Sequence, residues 1–204
     1  MRLTRLVVAL VAASLLIGTA VTAAELPGSY EAIGTVPAAG SQKVVKFEEF
    51  LNFTCPHCNA FRLESKPLFD KYDDRVLRIY VPILFRGQAD YPLRLFYVAV
   101  AEGKTEAVKD ALFDAAFRFR ADIYSADTVA YIASELGLAD AYRRNANAGW
   151  VTKLIQDGHK RANEAQIRGT PTVVLAHTVK VTPVGGMQQF LANLDGLIGG
   201  LLAK

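Results

Sequence analysis

The chain has 204 residues, a formal net charge of +3, 51% hydrophobic residues and only two cysteines. That length suits a single folded unit with a sizeable core, and the absence of a basic stripe or a block of like charge leaves nucleic-acid binding without electrostatic support. Two cysteines are too few for a disulfide-stapled scaffold. At positions 55 and 58 they would close too short a loop to remove much chain entropy, so the pair points to chemistry rather than stapling.

The first residues read as an export signal. Arg2 and Arg5 open the chain, Leu6 to Ile17 run uncharged and largely apolar, and Thr22 and Ala24 are spaced for cleavage before Glu25. The run is short for a membrane span and leads into small residues rather than a stop-transfer pattern, so residues 1–24 are expected to be a signal peptide, with an uncleaved anchor as the alternative. Export places the cysteines in an oxidising compartment.

Residues 25–42 hold Pro27, Gly28, Gly34, Pro37 and Gly40 and read as an irregular lead-in, with a short strand at Tyr30–Ile33. Lys43 to Phe53 is strand-like, and Cys55-Pro56-His57-Cys58 follows at once. Asn59 to Tyr72 reads as a helix that Pro67 kinks or interrupts. Arg75 to Phe85 is a second strand, with Pro82 near its end. From Tyr91 to Gln166 the period becomes helical. Leu93, Phe96, Tyr97 and Val100 form one stripe, Val108, Leu112, Phe113, Ala116 and Phe117 another, and Val129, Ile132, Ala133 and Leu136 a third that ends near Gly137. Trp150, Leu154 and Ile155 belong to a long last helix running past His159. Thr172 to Leu175 and Val179 to Thr182 then read as two short strands, and Met187 to Leu202 as a closing helix packed on a sheet. This order predicts an α/β or α+β sheet unit with one helical insertion.

A thiolate, not a thiol, attacks a disulfide. A cysteine just after a strand and at the start of a helix meets unpaired N–H groups and the positive end of the helix dipole. Cys55 fits that place, and Pro56 suits the first helical position because its missing N–H is not needed there. Cys58, one turn along, should be the less exposed sulfur. His57 adds a donor or a positive charge. Stabilising the Cys55 thiolate stabilises the reduced protein, which predicts a disulfide donor more than a reductant. A zinc site would want about four ligands, and His57, His159 and His177 show no ligand spacing. Asn59 stands where attachment of a c-type haem needs histidine.

Two further features bear on this centre. Gly169-Thr170-Pro171-Thr172 precedes a strand, where proline can be cis, although an ordinary trans turn is the commoner form. Glu49 shares a strand face with Val45, Phe47, Leu51 and Phe53. It would serve either to relay a proton to or from Cys58, or as a carboxylate at a sheet edge or paired with Arg78.

Taken together, Phe47–Cys58 (FEEFLNFTCPHC), the helical insertion, Arg168–Thr172 (RGTPT) and the closing strand–strand–helix resemble the DsbA family of periplasmic disulfide oxidases. The resemblance spans essentially the whole mature chain. It implies a thioredoxin fold, at residues 25–90 and 167–204, with an inserted helical domain at 91–166. It implies that Cys55 is the exposed nucleophile and Cys58 its buried partner. Thr170 and Pro171 would form a cis-proline loop that, with Pro56, contacts the substrate, and Glu49 would fall where the family has a buried acid. It implies reduced exported proteins as substrates and reoxidation by a DsbB-type membrane quinone oxidoreductase. No cofactor and no metal are expected, and a monomer is the default. One departure is that arginine, which keeps its proton, stands at Arg78 where the family's lysine would fall. A reductase or isomerase of the same fold, and a chain-binding chaperone with a structural disulfide, are the rival readings.

Overall fold

The computed structural model describes residues 25–203, so the expected signal peptide at 1–24 lies outside the described residues. The lead-in contributes a two-residue edge strand, β1 (Glu31–Ala32). Strand β2 (Val45–Leu51) is followed by helices α1 (Pro56–Glu64) and α2 (Lys66–Tyr72), and then by β3 (Val76–Pro82). Five helices come next: α3 (Tyr91–Ala101), α4 (Thr105–Phe117), α5 (Ala126–Glu135), α6 (Ala139–Asn145) and α7 (Gly149–Glu164). Strands β4 (Thr172–Leu175) and β5 (Val179–Val181) and helix α8 (Met187–Leu201) close the chain. The strands form one sheet in the order β1-β5-β4-β2-β3, with β2 parallel to β3 and the other pairs antiparallel. This is a sheet unit with a helical insertion, as the element order predicts, and it is the thioredoxin fold that the family resemblance implies. Among the described residues no helix is long and apolar enough to cross a membrane.

The central strand β2 serves three apolar clusters, because its side chains alternate between the sheet's two faces. Val45 and Phe47 pack with Phe61 of α1 and with Phe190, Leu194 and Ile198 of α8. Farther along the same face, Leu51 and Phe53 enter the core of the helical block beside Phe96 and Phe113. On the opposite face Phe50 packs with Val174 and with Ala162 and Ala165 at the end of α7. Helix α7 therefore takes part in two cores, since Val151 and Ile155 near its start belong to the helical block. Between them Gly158 lets α7 cross close to the end of β3, where an added Cβ would lie 3.4 Å from Val81 and 3.1 Å from the Tyr97 hydroxyl.

The expected interruption near Pro67 falls at Ser65. Proline at the second position of α2 cannot donate to the turn before it, so α1 stops at Glu64 and a new helix starts at Lys66. The helical block differs from the reading in two respects. Helix α6 was not anticipated, because only Ala141 of its seven residues is buried and no stripe marks it. Val100 does not complete the α3 stripe but is 45% exposed, while Leu95, Val98 and Ala99 are buried. Helix α7 holds Trp150, Leu154 and Ile155 and runs past His159 as expected, turning Val151, Ile155, Gly158 and Ala162 inward and leaving Trp150 and Leu154 exposed.

Three helices end in the same way. After α3, α5 and α7 the next turn closes with the paired bonds Lys104 N–H to Ala99 (2.8 Å) and Gly103 N–H to Val100, Leu138 N–H to Ala133 (2.7 Å) and Gly137 N–H to Ser134, and Ile167 N–H to Ala162 (2.9 Å) and Gln166 N–H to Asn163. This Schellman arrangement needs a left-handed residue, for which glycine has no Cβ penalty. Gly103 and Gly137 fill that place after α3 and α5, but after α7 it is Gln166, at φ +51°. Gln166→Gly is therefore expected to raise the unfolding free energy by about 0.5 kcal/mol, read as a higher urea midpoint at unchanged m-value, and Gln166→Val to lower it by about 1 kcal/mol or more. Equal destabilisation by both would show that the left-handed step carries no cost here.

Candidate active site

The two cysteines occupy the first turn of α1. Cys55 is the N-cap residue. Its N–H donates to the Asn52 carbonyl at 3.0 Å and its carbonyl accepts the first helical bond, from Asn59 at 3.1 Å. Pro56 fills the first helical position, as expected, and is exposed. Cys55 is partly exposed and Cys58 wholly buried, and both are free thiols. The Cys55 thiol donates to the Thr170 carbonyl oxygen at 3.1 Å.

This setting separates the two sulfurs. Cys55 is lowered to a pKa of about 5, chiefly by the hydrogen bond from the Cys58 thiol. Burial opposes the shift, while the Thr170 side chain and the backbone of Cys58 and His57 add to it. Cys58 is pushed far up, first by burial and then by the neighbouring Cys55, so it keeps its proton. The Thr170 hydroxyl is buried and has no hydrogen-bond partner while Cys55 is protonated, which leaves it ready to donate to the thiolate. His57 reaches Cys55 through its backbone N–H. Its imidazole is exposed and looks into a hollow of about 550 Å³ that it shares with Arg168, Thr170, Pro171 and Met187. The Thr170–Pro171 bond is cis. Among the described residues no three His, Cys, Asp or Glu side chains group as a metal site would require.

Two supports for this turn were not foreseen from the sequence. Asn52 is buried, and its amide donates to the Ile83 carbonyl and the Gln88 side chain, both at 2.8 Å. Its oxygen accepts from the Thr54 N–H at 3.0 Å and the Thr54 hydroxyl at 2.8 Å, and that hydroxyl also pairs with Tyr124 at 3.0 Å. A satisfied polar network of this kind fixes one geometry for the residues just before Cys55. The only signal in the sequence was an asparagine interrupting apolar residues next to the cysteines. Farther along α1, Arg62 bridges to Asp114 (2.8 Å) and Asp110 (3.2 Å) of α4 and lies over the Phe113 ring, which ties the cysteine helix to the helical block.

Glu49 is 1% exposed and its carboxylate is held by Arg78 at 2.7 Å, the pairing weighed as its alternative role. Arg78 stacks over Phe69 and Tyr80, and the Tyr80 hydroxyl donates to Glu106 at 2.6 Å beside the buried Lys109. Every side-chain hydrogen bond found for Glu49 comes from Arg78 and none from either cysteine.

Comparison with known proteins agrees with this geometry. A family model described as thioredoxin matches residues 34–191. The thiol:disulfide interchange protein DsbA of Haemophilus influenzae is 28% identical over 188 residues, covering 89% of this chain and 90% of that protein. A crystal structure of Pseudomonas aeruginosa DsbA superposes with a TM-score of 0.69 at 20% identity, covering 84% of this chain and 91% of the other. The DsbA of Proteus mirabilis, in complex with a non-covalently bound peptide, superposes with a TM-score of 0.68 at 21% identity, covering 89% and 99%. At such identities the structural matches speak for the fold. The matched model covers most of the chain and the curated relative nearly all of it, so the chain belongs to the thioredoxin family and, within it, to the DsbA group of thiol:disulfide oxidoreductases.

Proposed function

We propose that the protein works in the oxidising direction, as an exported, periplasmic disulfide donor to reduced client proteins. The observation that carries this reading is the opposed proton affinity of the two sulfurs. Stabilising the Cys55 thiolate favours the dithiol state, so the Cys55–Cys58 disulfide gives up its bond readily. A client thiolate attacks Cys55 Sγ. The S–S bond breaks, its electron pair goes to Cys58 Sγ, and that sulfur takes up a proton because burial disfavours its anion. A second client thiolate then attacks the client sulfur of the mixed disulfide, and Cys55 leaves as a thiolate. The client loses two electrons and the protein gains them. Thr170 meets the reacting sulfur through its carbonyl, Pro171 follows it across a cis bond and Pro56 follows Cys55 in the chain, and these three would contact the client chain; the bound peptide of the Proteus mirabilis protein supports such a use of the fold. A DsbB-type quinone oxidoreductase in the membrane would restore the disulfide. The protein would act as a monomer, with residues 1–24 removed on export.

An equilibrium titration of the Cys55–Cys58 couple against glutathione tests the direction. A potential well above that of a thioredoxin-type reductant, about −270 mV, is expected; a value at or below it would turn the reading into a reductase.

The lowered Cys55 pKa also fixes a pH profile. A depressed thiol is ionised above its folded value, so alkylation of the reduced protein by iodoacetamide should persist as pH falls and drop away only through about 5. Cys58 should stay unmodified over the same range. A midpoint near that of a free thiol, about 8.5, would remove the basis for a stabilised thiolate.

Glu49 is given the proton transfer at Cys58, through an intervening water. Its burial on the strand face that leads to Leu51 and Phe53, neighbours of Cys58 in one cluster, supports the assignment. An arginine does not serve as a proton donor, so any proton relay would rest on Glu49 alone. Glu49→Gln should then slow client oxidation on the order of a hundred-fold, the low end of what a positioned proton carrier supplies, and leave the Cys55 alkylation profile in place. An unchanged rate would reduce Glu49 to a structural partner of Arg78.

A further inference from the structure

The hollow beside the cis proline carries charge that the thiol chemistry does not use. Its wall includes Arg168, two residues before Thr170, and its floor includes Lys180. Lys180 is 7% exposed and pairs at 2.7 Å with Glu31, its register partner on the two-residue strand β1. Arg168 differs from the arginines that the fold employs. Arg62, Arg78, Arg94 and Arg161 each sit against a carboxylate, whereas Arg168 is exposed and makes no ion pair or side-chain hydrogen bond among the described residues.

The position of Arg168 is also set by backbone geometry. The capping bonds after α7 already occupy the carbonyls of Ala162 and Asn163, so the helix end has no need of this guanidinium. Ile167, anchored in the apolar cluster under α7, turns the chain so that Arg168 stands between two hollows, the one beside Pro171 and a second of about 420 Å³ bordered by Phe85 and His159. A chain lying along the cis-proline loop would border the hollow that Arg168, Thr170 and Pro171 line together. The first hollow thus presents two permanent cations against one carboxylate, and that carboxylate is engaged by Lys180.

We infer that Arg168 is a specificity-determining residue: it selects client segments that carry an aspartate or glutamate beside the reacting cysteine, and among the described residues it is the one cation of the hollow whose charge no carboxylate offsets, since Lys180 is paired with Glu31. The inference rests on the disulfide-donor reading for the identity of the occupant. Guanidinium and carboxylate meet in a two-bond geometry that a lysine or a neutral side chain does not reproduce. At the mouth of a groove such a pair is solvated, so its effect is modest and falls with salt.

The test uses two single-cysteine peptides of one extended sequence, with glutamate or with glutamine on both sides of the cysteine. The rate of mixed-disulfide formation with the oxidised protein is measured for wild type and for Arg168→Gln. The glutamate-to-glutamine rate ratio in wild type, divided by that in the variant, cancels the effect of glutamate on the peptide thiol itself. A quotient of about three or more at low ionic strength, shrinking with added salt, is expected; a quotient near one overturns the inference. The same peptides with serine in place of cysteine are compared by calorimetry for binding. Acid-preferring binding that Arg168→Gln abolishes, with no mixed disulfide from either peptide, would support this inference and sink the disulfide-donor reading. Equal binding with fast reaction of both peptides would do the reverse.

Discussion

One constraint organises this molecule, the difference in burial between two sulfurs one helical turn apart. Cys55 caps the helix and is partly open, while Cys58 lies among Leu51, Phe53 and the helical block. Burial holds the proton on Cys58, and a protonated Cys58 beside Cys55 lowers the proton affinity of the capping sulfur. The Thr170 side chain and the backbone of His57 and Cys58 act on the same sulfur. The helical block therefore does more than shield the site, because without it Cys58 would lose its apolar surroundings and with them the reason to stay protonated.

The position of Glu49 takes on meaning from the same strand. Phe47 belongs to the cluster with α8 and Leu51 to the cluster in the helical block, and Glu49 stands between them. Arg78, Tyr80, Glu106 and Lys109 gather at that seam, with Lys109 held by both Tyr80 and Glu106. A buried ion pair contributes little net stability, but breaking one partner is costly. A seam built this way holds the two clusters in one relative register, and this holds whether or not the carboxylate also moves a proton.

The parts of the fold that were legible in the sequence are those where one residue type meets one local requirement. Alternating apolar residues marked β2, the proline after Cys55 marked the helix start, and Pro67 marked the break between α1 and α2. The parts that were hidden depend on partners far along the chain. Asn52 is explained by Ile83, Gln88 and Tyr124, none of them near it in sequence. Helix α6 buries one alanine and so leaves no periodic trace. Leu93, Phe96 and Tyr97 of the α3 stripe are buried as read, but Val100 in the last turn is left out, while Leu95, Val98 and Ala99 widen the buried set beyond that stripe. At the site, the cysteines and the Thr170–Pro171 pair could be named from sequence. Which atom of His57 faces Cys55, and the empty hydroxyl of Thr170, needed the coordinates.

Helix α7 starts in one core and finishes in another, and it ends on the loop that touches the reacting sulfur. Its length is therefore a gauge. Adding or removing one residue between Ile155 and Ala162 would swing everything beyond it by about 100° relative to the helical block. The cis-proline loop would then leave Cys55, although neither cysteine nor any residue of the loop had changed. Length changes in the outer turns of α5 and α6, which meet solvent, would leave the loop where it is, whereas along α7 every residue counts. The spacing of a distant helix thereby bears on the site as directly as the two residues between the cysteines.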